Sequence, residues 1–261
     1  MDIEVNGARL SYTDKGHGQP VVFVTGFGGY QEIWTEQVSY LLEMGYRVIT
    51  YDHRNHGHSE RTADSPLFID LVDDLAKLIH QLSLDKPLLV AHSMGASVCY
   101  ALLQKHPEVS VRGLLAVDQS PKMINDEEWH YGFRDIHLDD YQKKLTHPQK
   151  VHETYRGLVP SVSLQLNRAK IASPFDRKRN IPLLLDHVLL DWRPILFATE
   201  VPVMMICSTD SPYYDFHFSQ VCSKNNDNIS AVVLSACGHD PMAEIPRRFN
   251  QLLRHFVLKN G

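Results

Sequence analysis

Ala91-His92-Ser93-Met94-Gly95 sets a serine among small residues at the junction of two apolar segments. Upstream, Pro87-Leu88-Leu89-Val90-Ala91 is a short, uninterrupted apolar run, the pattern of a strand buried on both faces. Downstream, Met94, Ala96, Val98, Cys99, Ala101, Leu102 and Leu103 read as a well-packed helix. A serine at such a strand-to-helix corner stands out from the backbone, with helix N–H groups beside it. Small neighbours are needed because the corner brings strand and helix backbones close together.

The pattern repeats on either side of that corner. The opening residues to Asp14 read as a two-strand hairpin, with turn signals at Asn6-Gly7 and Gly16-His17-Gly18. Val21-Val22-Phe23-Val24 is followed by Gly26-Phe27-Gly28-Gly29 and a helix from about Gln31 to Met44. Arg47-Val48-Ile49-Thr50-Tyr51 is a strand leading into the polar loop from Asp52 to Ser59. Phe68, Leu71, Val72, Leu75, Leu78, Ile79 and Leu82 recur at helical spacing, which predicts an amphipathic helix over Leu67 to Leu82. After the serine helix come strands at Gly113–Val117, Val201–Cys207 and Ile229–Leu234, and a last helix over roughly Met242–Val257. Apolar strands alternating with helices predict a mostly parallel, eight-stranded sheet with helices on both faces. Between 121 and 194 the alternation stops, and aromatic-studded helical stretches predict a helical lid inserted within a single domain spanning 1–261.

Bulk properties narrow the class. The 261 residues are 43% hydrophobic, ordinary for a globular protein with a real core. A formal charge of -5 gives no reason to expect nucleic acid or an anionic membrane as partner. No apolar run approaches the ~18 residues of a membrane span. The acidic, strand-like start lacks the apolar region of a signal peptide. Cys99, Cys207, Cys222 and Cys237 lack metal-type spacing, and two lie inside predicted core elements, so a reduced, cytoplasmic chain is expected.

In open α/β sheets reactive groups gather beyond the carboxyl ends of the strands. Ser93 follows one strand, Asp210 follows the next-to-last, and His239 follows the last. A serine hydroxyl is a poor nucleophile until a base takes its proton, and an imidazole base needs an acid to orient it. The chain order Ser93, Asp210, His239 is the order expected when a strand-to-helix serine supplies the nucleophile. Asp118, which ends another strand in Asp118-Gln119-Ser120-Pro121, competes with Asp210 for the acid's place, and Asp215 lies close by.

Together with Thr25-Gly26-Phe27-Gly28-Gly29, the Asp52–Ser59 loop, Gly238-His239 and the closing Glu244-Ile245-Pro246-Arg247-Arg248-Phe249-Asn250, these features resemble the α/β-hydrolase family over nearly the whole chain. Within it the chain is similar to the lidded esterases and the cofactor-free haloperoxidase-like members. It departs from the usual pattern at Thr25, often His, and at Asn55 and Ala91, often Gly. The resemblance implies Ser93 as nucleophile, His239 as general base and then acid, and Asp210 as orienting carboxylate. It implies an oxyanion hole from the backbone N–H groups of Phe27 and Met94. The implied activity is that of a serine carboxylesterase acting on small to medium acyl esters, without cofactor or metal. Lactone hydrolysis and perhydrolysis use the same acyl-enzyme, and a slow or non-catalytic receptor is the rival of a different class.

Other motifs read as structural. His53, His56 and His58 beside Asp52 lack a second ligand group at metal spacing, so the loop reads as a hydrogen-bonded turn. Gly26-Phe27-Gly28-Gly29 lacks the spacing and the lysine of a nucleotide-binding loop. Among the aromatics of 121–194, Trp129, Phe133 and Tyr155 are the candidates for an acyl pocket, although each fits a small core of the insertion equally well.

Overall fold

The computed structural model describes residues 1–261. Its eight strands are β1 (Asp2–Val5), β2 (Ala8–Lys15), β3 (Pro20–Val24), β4 (Arg47–Tyr51), β5 (Leu88–His92), β6 (Gly113–Val117), β7 (Val203–Ser208) and β8 (Ile229–Leu234). They form one sheet in the order β1-β2-β4-β3-β5-β6-β7-β8. The β1–β2 and β2–β4 pairs are antiparallel and all others parallel. β3 pairs with β4 on one side and β5 on the other, so the strand order reverses there and a crevice opens beyond the strand ends.

The inner strands are apolar throughout, yet alternation still decides what each side chain meets. Val22, Val24, Leu89, Ala91, Leu114 and Ala116 join one core cluster. Val21, Phe23, Leu88, Val90, Leu115 and Val117 join a second. Helices α1 (Thr35–Glu43), α2 (Phe68–Gln81) and α3 (Met94–Lys105) follow the early strands. The stretch read as one helix from Gln31 begins as a 3₁₀ turn, Gln31–Trp34. Leu67 stands outside α2, where its N–H donates to Asp70 Oδ2 at 2.8 Å.

Between β6 and β7 run α4 (Tyr141–Thr146), α5 (Pro160–Ala172), α6 (Ile181–Val188) and α7 (Arg193–Ala198). Met123, Ile124, Ile136, Leu145, Leu184 and Val188 form a small core of this stretch. α8 (His217–Asn225) lies between β7 and β8. The stretch predicted as one closing helix is two, α9 (Pro241–Glu244) and α10 (Pro246–Asn260). Pro246 carries no N–H and disfavours helical geometry before it, and Ile245 accordingly sits at φ −133°, ψ 54°.

The elbow depends on close backbone approach. A Cβ at Gly95 would stand 2.4 Å from Thr25 O and 2.7 Å from Val24 O. Ala91, by contrast, is fully buried on the face it shares with Leu89, where its methyl group packs in the core. Gly95→Ala therefore forces β3 and α3 apart and lowers the unfolding free energy by about 1–3 kcal/mol. Urea titration reads this directly, and an unchanged midpoint would show that the corner has room to spare.

Candidate active site

Ser93 sits between β5 and α3 at φ 54°, ψ −134°, a left-handed conformation that costs a non-glycine residue energy. Its neighbours hold it there. Ser93 N–H donates to Val117 O at 2.9 Å, and Ser93 O accepts from Ala96 N–H at 2.8 Å. Gly26 presses on the side chain: a Cβ there would lie 2.8 Å from Ser93 Cβ and 3.3 Å from Ser93 Oγ. The N–H of Met94 begins α3, so it belongs to the first-turn amides that have no partner inside the helix.

His239 follows β8 in a tightly bonded loop. Its N–H donates to Glu153 O at 2.7 Å, and its carbonyl accepts from His92 Nε2 at 3.0 Å. His239 Nδ1 donates to Asp118 Oδ2 at 2.6 Å, with both side chains buried. Asp118 Oδ2 also accepts from Ser211 Oγ at 2.5 Å, and Asp118 N–H donates to Ile206 O at 2.8 Å. The face of the imidazole is covered by Tyr213, edge-on at 4.7 Å between centroids. Ser93 Oγ is not among the hydrogen-bond partners of His239, a gap that acid–base partners commonly show before substrate binds.

Asp210 is not the carboxylate that meets the histidine. It is exposed, its Oδ2 accepts from Thr209 Oγ1 at 2.6 Å, and its N–H donates to Cys237 O. The reason is local: the Asp210 carboxylate turns out to solvent and to Thr209, although β7 is the neighbour of the histidine strand β8, whereas the Asp118 carboxylate turns inward. Asp118, at the end of β6 and with φ 48°, turns directly beneath His239. The sequence signal for it was an acidic residue ending a wholly apolar strand.

The two ionisable groups at the histidine respond to burial in opposite ways. Burial disfavours the charged form of His239, but the hydrogen bond and charge of Asp118, helped by Asp240 and Glu153, hold its pKa above the ordinary 6.5. Asp240 is pushed up to about 7, chiefly by burial. His92 is desolvated and kept neutral, which suits its donation to the His239 carbonyl.

Ser93, His239, Phe27 and Met94 all line one cavity of about 1050 Å³. Phe133 lines it too. Trp129 and Tyr155 do not: Trp129 is packed in the main core with its Nε1–H on Lys122 O, and Tyr155 is 58% exposed. Arg134, Arg177, His187 and Tyr213, none of them singled out from the sequence, also border the cavity.

The histidine-rich loop is buried and hydrogen-bonded, within itself and to Thr25 and Gln31. Asp52 accepts from Gln31 N–H, Gln31 Nε2 and His58 N–H. His53 Nε2 donates to Thr25 O and His56 Nδ1 to Arg54 O. Burial depresses both histidines, to about 3 and about 4. Asn55 occupies φ 63°, a conformation that asparagine tolerates better than most residues, and its Oδ1 accepts from Thr62 N–H.

A family model of the alpha/beta hydrolase fold matches residues 19–246, and the chain belongs to that family. An AB hydrolase superfamily protein of Bacillus subtilis is 24% identical over 256 residues, 95% of this chain and 94% of that one. A non-heme chloroperoxidase of Kitasatospora aureofaciens is 34% identical over 119 residues, so the match spans 46% of this chain and less than half, 43%, of that protein. An esterase from Exiguobacterium antarcticum superposes with a TM-score of 0.84 at 23% identity over 98% of both chains, a likeness of fold.

The contact between Asp118 and His239 makes a direct prediction for titration. In NMR-monitored pH titration His239 loses its proton above pH 6.5. Asp118→Asn removes the raising partner and leaves burial, so the midpoint falls, whereas Asp210→Asn leaves it in place. A midpoint that followed Asp210 instead would overturn the assignment.

Proposed function

From membership of the alpha/beta hydrolase family we propose that the chain is a serine hydrolase cleaving small to medium acyl esters through an acyl-enzyme on Ser93. One observation carries this reading: the buried Asp118–His239 hydrogen bond beside a serine held in a strained elbow. Asp118 fixes the tautomer with Nδ1 protonated, which leaves Nε2 free to accept a proton. As Ser93 Oγ attacks the ester carbonyl, its proton passes to His239 Nε2. Asp118 stabilises the imidazolium that forms. Charge developing on the carbonyl oxygen is met by the N–H groups of Met94 and Phe27, the first favoured further by the α3 dipole.

Collapse of the tetrahedral intermediate breaks the C–O bond, and His239 returns the proton to the departing alcohol. Water, deprotonated by the same imidazole, then attacks the acyl-enzyme and releases the acid. Every proton is handled by residues of this chain, so the cycle needs no cofactor. The helical stretch 121–194 acts as a lid, with Phe133 contributing to the acyl pocket. Lactones would open by the same route, and hydrogen peroxide in place of water would give a peracid, the direction to which the partial match with a chloroperoxidase points. The chain acts in the cytoplasm on a small-molecule ester.

The test is turnover of p-nitrophenyl acetate and butyrate. Ser93→Ala abolishes it, and a fluorophosphonate probe labels Ser93 in the parent protein only. Asp118→Asn lowers kcat by roughly 10⁴-fold through the wrong histidine tautomer. Since His239 must be neutral to accept a proton, kcat/KM rises with pH to a plateau, with its midpoint above 6.5. No cleavage across a broad ester panel, with a small molecule still raising the Tm, would replace the hydrolase with a receptor.

A further inference from the structure

Arg177, in the connection between α5 and α6, borders the same cavity as Ser93 and, like Arg61, Arg134 and Arg179, differs from the arginines that hold an aspartate. Arg47, Arg54 and Arg193 each hold an aspartate, at 2.7, 2.5 and 2.7 Å respectively. Arg177 has no carboxylate within ion-pair distance. Its guanidinium lies over the Phe27 ring, 5.3 Å from the centroid, and Nη2 donates to Leu145 O at 3.0 Å. Nε is buried without any partner. The nearby Glu153, whose charge favours the Arg177 cation, takes the Tyr213 hydroxyl on one oxygen at 2.5 Å and makes no ion pair with Arg177. Burial accordingly weighs on the charged form of Arg177, whereas Arg47, Arg54 and Arg193 are raised in basicity.

A desolvated cation with unfilled donors is costly in an isolated protein, and an arriving anion relieves that cost. The planar fork of a guanidinium matches a carboxylate better than it matches any neutral group. Met123, Ile136 and Leu184 give the same cavity an apolar wall. Phe27, under the guanidinium, also supplies the backbone N–H assigned to the oxyanion. A ligand reaching from Ser93 to Arg177 therefore combines an ester, an apolar chain and an anionic end.

We propose that the substrate is an ester that bears a second, free carboxylate, seated on Arg177. The inference rests on the esterase reading and specifies its substrate class. The experiment compares kcat/KM for monoethyl glutarate and monoethyl adipate with ethyl pentanoate and ethyl hexanoate, followed by pH-stat. The hemiesters are expected to be preferred by roughly tenfold or more, mainly through a lower KM, the size of one charge-assisted contact. Arg177→Gln removes that preference, and Arg177→Lys, which keeps the charge without the fork, retains part of it.

Glutarate should also inhibit cleavage of the neutral esters competitively in the unmodified protein, a readout that needs no variant. Equal or poorer use of the hemiesters, with neutral esters cleaved, overturns the anion site and leaves the esterase standing. A preference that persists in Arg177→Gln removes the assignment to this residue. Failure of the unmodified protein to cleave any of the four, with no fluorophosphonate label on Ser93, overturns the esterase reading and this inference with it.

Discussion

Everything at the site depends on how closely β3 and α3 approach one another at the elbow. Two positions with no side chain make the approach: Gly95 faces the carbonyls of Thr25 and Val24, and Gly26 faces Ser93 itself. Because the two backbones touch, the loop after β3 and the first turn of α3 form one wall of the cavity. Ser93 is held at a positive φ by that packing and by its hydrogen bonds to β6 and α3, not by its own preference. The third small position, Ala91, lies two residues before Ser93 and packs in the core, so a methyl group is accommodated there. The elbow thus needs its glycines where backbone meets backbone, and tolerates substitution where side chain meets core.

Burial then sorts the histidines. His53 and His56 are enclosed without a carboxylate at the ring, His92 has only Asp240 at 3.6 Å, and desolvation keeps all three neutral. His239 is equally enclosed, but its ring bonds to Asp118, and the balance reverses. Of these four imidazoles only His239 combines a fixed tautomer, a raised pKa and a place on the cavity wall with the serine. A cluster of histidines in sequence is thus resolved into one candidate base and several hydrogen-bonded struts.

Periodicity and punctuation made most of the architecture legible. The eight strands, the elbow and the serine and histidine positions all follow from apolar runs interrupted by glycine, asparagine and aspartate. Features that depend on neighbours in space were less accessible. Asp118 and Asp210 both follow apolar strands, and only the direction each side chain takes beyond its strand decides which one reaches the imidazole. The split between α9 and α10 was readable from Pro246, but an amphipathic stripe running through it concealed the break. Trp129, Phe133 and Tyr155 look alike in sequence, yet one is core, one cavity wall and one surface, because the segment carrying them has no repeating period to assign faces. Arg177 gave no signal, since the absence of an ion-pair partner is a property of three-dimensional surroundings.

The histidine loop is also tied to the connection between α4 and α5. Glu153 O accepts the His239 N–H, and Glu244 joins the two sides, accepting from Gly238 N–H through one oxygen and from Tyr155 and Arg156 N–H through the other. Residues 153–156 therefore anchor the histidine loop. One carboxylate, Glu244, thus sets the register of the imidazole's backbone and of residues 155–156 together, so its loss would loosen both at once.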